Sequence, residues 1–187
     1  SDVQERTQYS QADSRLRIVV DDQTAVIYDE NDNGTIIEIP CFAAEIDVFD
    51  AFESHDGSMK VILKTTSGKL MTSGDTEPLL TNCISLHCSK SFCFATTSDQ
   101  RLFSFPYHIP VSSWRDVVIK RTSEESTREV EAGAEIVTTV PDEAMLMLLM
   151  PRGNLETIYP RAMVLQAVRK HLDKLEYRDA YLLCRRH

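Results

Sequence analysis

The side chains best suited to chemistry gather in two stretches. Cys83, His87, Cys88 and Cys93 offer sulfur and imidazole nitrogen, the ligands that zinc prefers. On a regular strand Cys83 and His87 point to one face and Cys88 to the other, while Cys93 falls on the next strand. Convergence on one ion would need a bend, so small core-facing thiols are the simpler expectation. The second stretch, Asp29-Glu-Asn31-Asp-Asn33-Gly34-Thr-Ile36, matches the first half of a calcium loop, with oxygen ligands at alternate positions and glycine at the sixth. Pro40 stands where the bidentate glutamate belongs, and both flanks read as strands. A tight Asn-Gly turn is the better reading.

Other catalytic signatures are missing. The six glycines make no GxGxxG, P-loop or nucleophile-elbow pattern, and HExxH is absent. His55, His108 and His171 have no nearby base or ligand in sequence. Trp114 reads as an anchor in a strand or loop. The chain is therefore expected to have no catalytic, cofactor-binding or metal-binding residue, and not to be an enzyme.

Composition sets wider bounds. With 42% apolar and 26% charged residues over 187 positions, the chain is an ordinary globular sequence. The apolar run Ala144 to Met150 is far shorter than the ~18 residues of a membrane helix and suits a strand buried on both faces. Residues 1–158 carry 13 Lys/Arg against 26 Asp/Glu, a balance of −13, whereas 159–187 carry 7 against 3, or +4. An acidic body repels nucleic-acid phosphate. Five cysteines without CxxC spacing and a polar start point to free thiols in a reducing compartment, so a cytoplasmic and also nuclear location is expected. The lack of an initiating Met and the helical pattern still running at the end suggest a piece of a longer chain.

These residues must be positioned by repeated hairpins. Thr24–Tyr28 and Thr35–Ile39 flank Asn33-Gly34; Val61–Thr66 and Lys69–Met71 flank Ser67-Gly68; Phe92–Thr97 and Arg101–Phe105 flank Asp99-Gln100. Ala144–Met150 and Leu155–Tyr159 flank Pro151-Arg-Gly-Asn154, with Gly153 or Asn154 free to take positive φ. Ala44–Phe49 and Asn82–His87 add further strands. Turns near 33, 67 and 99 are 34 and 32 residues apart, which predicts about four blade-like units of a β-propeller. An antiparallel sandwich shares the periodicity; the repeated hairpin favours the propeller. Residues 120–133 are charged and poor in apolar groups, so they are expected as a mobile insertion, with Ser123 and Ser126 open to phosphorylation.

After Pro160 the period becomes helical. Leu165, Val168, Leu172 and Leu175 make one stripe, and Tyr177, Ala180, Tyr181 and Cys184 a second, with a break across Asp173–Glu176. Leu165, Val168 and Leu172 are expected to dock the first helix on the last blade. The division is thus 1–158, terminal blades, and 159–187, a helical hairpin of the kind that begins an α-solenoid.

Met150-Pro-Arg-Gly-Asn-Leu-Glu-Thr-Ile-Tyr-Pro-Arg-Ala-Met-Val-Leu165, continued by Val168-Arg-Lys-His-Leu-Asp-Lys-Leu175 and Tyr177-Arg-Asp-Ala180, closely resembles the largest-subunit family of the Elongator complex, also called the IKK-complex-associated protein family. The resemblance is specific over about forty residues and implies the end of a second WD-repeat propeller joined to an α-solenoid. It implies a non-catalytic scaffold holding the radical-SAM acetyltransferase-like subunit and a propeller subunit, for modification of wobble uridines in tRNA. Contact with tRNA would be indirect, there would be no membrane partner, and homodimerisation would use regions outside this chain. A coat or trafficking scaffold is the alternative with the same architecture.

Overall fold

The computed structural model describes residues 6–21, 24–29, 46–120, 126–140 and 144–187, and the backbone of 34–40. Among the described residues, four antiparallel sheets follow one another along the chain. The first holds β1 (Arg6–Tyr9), β2 (Leu16–Val20), β3 (Thr24–Asp29) and β4 (Gly34–Pro40); the second β5 (Ile46–Glu53), β6 (Met59–Thr65) and β7 (Leu70–Thr72). The third holds β8 (Cys83–Cys88), β9 (Phe92–Thr97), β10 (Arg101–Pro106) and β11 (Thr127–Glu129), with helix α1 (Val111–Lys120) between the last two. The fourth is β12 (Glu135–Val140), β13 (Met145–Leu149) and β14 (Leu155–Ile158), and helices α2 (Arg161–Asp173) and α3 (Tyr177–Arg186) close the chain. In every sheet the strands pair in chain order, as a meander does.

All four expected hairpins form. Gly68 turns between β6 and β7 at φ +81°, and a Cβ there would stand 3.2 Å from the Cys83 carbonyl oxygen, so glycine serves both the turn and the close approach. Gly153 takes φ +83° in the turn before β14. Of the Asn33-Gly34 pair, Gly34 opens β4 while Asn33 lies outside the described residues.

Successive sheets pack face to face through three apolar clusters. Leu16, Ile18 and Ile27 of the first sheet meet Phe49, Val61 and Leu63 of the second. Phe52 and Ile62 of the second meet Cys88, Phe103 and Phe105 of the third. Phe92, Phe94 and Leu102 of the third meet Leu146, Leu148 and Ile158 of the fourth. A sandwich would share one core between two sheets; here each inner sheet has a core on both sides, the arrangement of propeller blades. Polar side chains add to the first contact: Arg6, Gln8 and Ser10 donate to the carbonyls of Ile46, Phe49 and Ala51 on the neighbouring β5.

The structure corrects several expectations. Trp114 sits on α1, not on a strand or loop. Val111, Trp114, Val117 and Val118 are spaced for one helical face, and all pack into the cluster between the second and third blades. The Trp114 ring stacks on Phe105 at 5.1 Å and Phe52 at 5.4 Å, and its Nε1 donates to the Pro106 carbonyl at 3.2 Å. Arg115 then ties α1 to the loop after β7 by donating to the Glu77 carbonyl at 2.6 Å. Within 120–133, Thr127–Glu129 form β11, because the open edge of β10 supplies hydrogen bonds that the segment's few apolar groups do not. Residues 121–125, including Ser123, lie outside the described residues. The run Ala144–Met150 is not buried on both faces of β13: Leu146 and Leu148 are buried, while Met145 and Met147 are half-buried and Leu149 is exposed.

Candidate functional site

A one-residue irregularity decides the geometry of the cysteine cluster. β8 pairs with β9 through Cys83↔Thr97 and then Ser85↔Thr96, so the register shifts between these pairs. The extra residue reverses the side-chain alternation. Cys83 consequently shares a face with Leu86 and Cys88, all buried in the core, and Cys93 stands directly across from Cys88. His87 points to the opposite face, where Nε2 lies 3.3 Å from Thr139 Oγ1 of the fourth blade. The four residues do not converge. Burial pushes the Cys83 thiol up to about 12 and Cys93 upward as well, so neither favours the thiolate that metal binding requires. Burial lowers the His87 imidazole, which marks it as a neutral group between blades.

The remaining candidates lie in separate settings. Of the calcium-like loop only Asp29 and the backbone of 34–36 are described, and residues 30–33 lie outside the described residues. His55 and His108 line a common cavity of about 580 Å³ at one end of the first three blades, together with Arg15, Lys90 and Gln166 of α2. Its Asp13 is held below the usual carboxylate range by hydrogen bonds from Arg15, so it acts as an ion-pair partner and not as a proton donor. His171 gains a partner absent from the sequence reading: Nδ1 lies 2.7 Å from Glu176 Oε2 across the α2–α3 turn. That contact holds Glu176 below its ordinary value, helped by Lys174 and Lys170. Asp179 completes a group whose ligand atoms lie within 4.8 Å of one another, but the flanking lysines oppose a cation there.

The feature built with most care is the joint between the fourth blade and the helices. β14 ends at Ile158, Tyr159 and Pro160 turn the chain, and α2 begins at Arg161. Pro160 caps the helix with φ −59° and ψ 129°, and the first intrahelical bond runs from Val164 N–H to its carbonyl at 3.1 Å. Met163 and Val164 are buried against Leu146, Leu148 and Ile158, flanked by half-buried Ala162, Ala167 and Val168. The expected stripe is therefore displaced. Leu165 is only half-buried, and Leu172 and Leu175 are 44% and 68% exposed. Both sides of α2 carry apolar residues, and the turn at Pro160 selects the side next to Ile158; burial then fades along the helix. On α3, Ala180 is buried and Leu183 packs toward the fourth-blade cluster, whereas Tyr177, Tyr181 and Cys184 are exposed. The break falls at Lys174–Glu176, as the spacing predicts, with Leu175 at φ +61°.

The architecture is that of an arc of a β-propeller carrying a helical hairpin. The crystal structure of BBS1N in complex with ARL6DN, a propeller structure, matches 83% of this chain and 50% of its own with a TM-score of 0.50 at 10% identity, a likeness of fold alone. No family model matches the chain. In sequence it is 40% identical over 114 residues to Elongator complex protein 1 of Schizosaccharomyces pombe, covering 58% of this chain and 9% of the relative. Elongator complex protein 1 of Saccharomyces cerevisiae is 34% identical over 126 residues, covering 66% and 9%. The chain is thus a relative of Elongator complex protein 1 over one segment, and the resemblance carried by Met150–Leu165 stands. It spans about a tenth of the length of those relatives. Among the described residues no helix is long and apolar enough to cross a membrane.

Proposed function

We propose that this chain is a non-catalytic scaffold segment of an Elongator-type complex, in which propeller blades and the first helices of an α-solenoid form one rigid unit. The observation that carries this reading is the packed joint: Met163 and Val164 are buried in the last blade within a stretch that resembles the Elongator largest subunit. A buried seam fixes the angle at which a helical array leaves the blades, which is what a scaffold must hold constant for its partners. The partners would be the radical-SAM acetyltransferase-like subunit and a propeller subunit, in the cytoplasm and also the nucleus. The complex would modify wobble uridines of tRNA, with homodimerisation through regions outside this chain.

The test places Met163→Asp in the full-length protein and measures co-purification of the radical-SAM subunit and wobble-uridine modification. A charge buried at the seam should loosen the joint and lower both. Unchanged recovery and modification, with the joint disrupted by hydrogen exchange, would refute the role. Recovery of coat or trafficking subunits in place of Elongator subunits would select the alternative scaffold.

A further inference from the structure

A second cavity, of about 260 Å³, lies where the outer strands of the third blade meet the start of α2, and its charges are unbalanced. Leu102 and Ser104 of β10, Thr127 and Arg128 of β11, and Tyr159 to Arg161 line it. Arg128 stands opposite Leu102 in the β10–β11 register, so alternation directs it to the same side as Leu102 and Ser104. Arg161 is the first residue of α2, a helix with no side-chain cap and no acidic residue in its first turn. A helix N-terminus carries partial positive charge and favours anions. Here it is given two arginines, neither with an ion-pair partner among the described residues. Such a conflict between local charge and helix polarity marks a site that something else completes.

A second observation is independent of the helix end. Ser104 is only 3% exposed and faces this cavity, yet its hydroxyl has no hydrogen-bond partner among the described residues. Phe103 and Phe105, its neighbours along β10, turn to the other face and stack in the core, so the serine's direction is held. Two guanidiniums, a hydroxyl and a helix N-terminus around one small cavity are the donors that a tetrahedral oxyanion needs.

We propose that this cleft binds one phosphate monoester group, the side chain of a phosphorylated serine or threonine of a protein partner. Residues 1–158 carry a charge of −13, which opposes a polyanionic strand laid across the blades. A single phosphorylated side chain needs only the cleft. The site does not depend on the scaffold reading, since its donors come from this chain alone.

The test titrates the intact chain by calorimetry with four probes: a short alanine peptide bearing a central phosphoserine, its serine counterpart, inorganic phosphate, and a 5′-phosphorylated single-stranded oligothymidylate. The phosphoserine peptide should bind with inorganic phosphate as competitor, and the serine peptide at least about tenfold more weakly, the scale of a charged hydrogen bond. Arg128→Ala and Arg161→Ala should each weaken binding about tenfold or more, and Ser104→Ala by a few-fold, with melting of the two exposed arginine variants unchanged. Higher salt should weaken binding. Equal affinity for both peptides, or indifference to both arginine substitutions, would overturn the proposal. Tighter binding of the oligothymidylate than of the phosphoserine peptide would overturn it as well.

Discussion

Replacing Met163 with Ala tests the joint directly. Met163 is 4% exposed and packed in one cluster with Leu146, Leu148 and Ile158 of the fourth blade and Phe92 and Phe94 of the third. Deleting a buried Met side chain costs about 2–5 kcal/mol, depending on how far the walls can collapse. Most of these walls are strand residues held by ladder hydrogen bonds, so collapse is limited and a cost of about 3 kcal/mol is expected. For a chain of this size that lowers Tm by roughly 6–12 °C. Leu172, in the expected stripe, is 44% exposed, so Leu172→Ala should cost about 1 kcal/mol or less. Thermal unfolding of both variants, with hydrogen exchange along α2, gives the comparison. Equal losses, or α2 amides as protected in Met163→Ala as in the parent, would mean that the helix is not held by its first turns.

Two further outcomes follow from the buried groups. Because burial lowers His87 below its ordinary 6.5, the unfolded chain binds the proton more tightly. Stability should fall as pH drops below about 6.5 toward the folded value, and His87→Gln should flatten that part of the curve in chemical denaturation at stepped pH; an unchanged slope would contradict the inter-blade burial. Alkylation of the native protein with iodoacetamide, read by mass spectrometry, should modify exposed Cys184 while Cys83, Cys88 and Cys93 stay protected until denaturant is added. Rapid labelling of Cys93 would place it outside the core.

What could be read in advance was whatever local chemistry dictates. Ser67-Gly68 and Pro151–Asn154 are turns because Gly68 and Gly153 take the positive φ required, whereas at Asp99-Gln100 the pairing of the flanking strands holds Gln100 at φ +64°; the four hairpins formed where alternation and turn signals agreed. The change to helix after Pro160 and the break before Tyr177 were equally local. Helix α1 was also legible, through Val111, Trp114, Val117 and Val118, but the expectation of an anchor in a strand or loop hid that spacing.

The rest depended on neighbours distant in sequence. The register shift beside Cys83 moves a thiol from one face to the other, and nothing in the local pattern announces it, since it answers to the pairing with β9. β11 exists because β10 had a free edge, not because Thr127–Glu129 prefers to be a strand. The same holds for α2, whose apolar residues on two sides allow two docking faces; packing against Ile158 and Leu146 chose Met163 and Val164. Local composition therefore determined which elements form and where they turn. Which face each one buries is a property of surfaces brought together from elsewhere in the chain, and only the folded arrangement decided it.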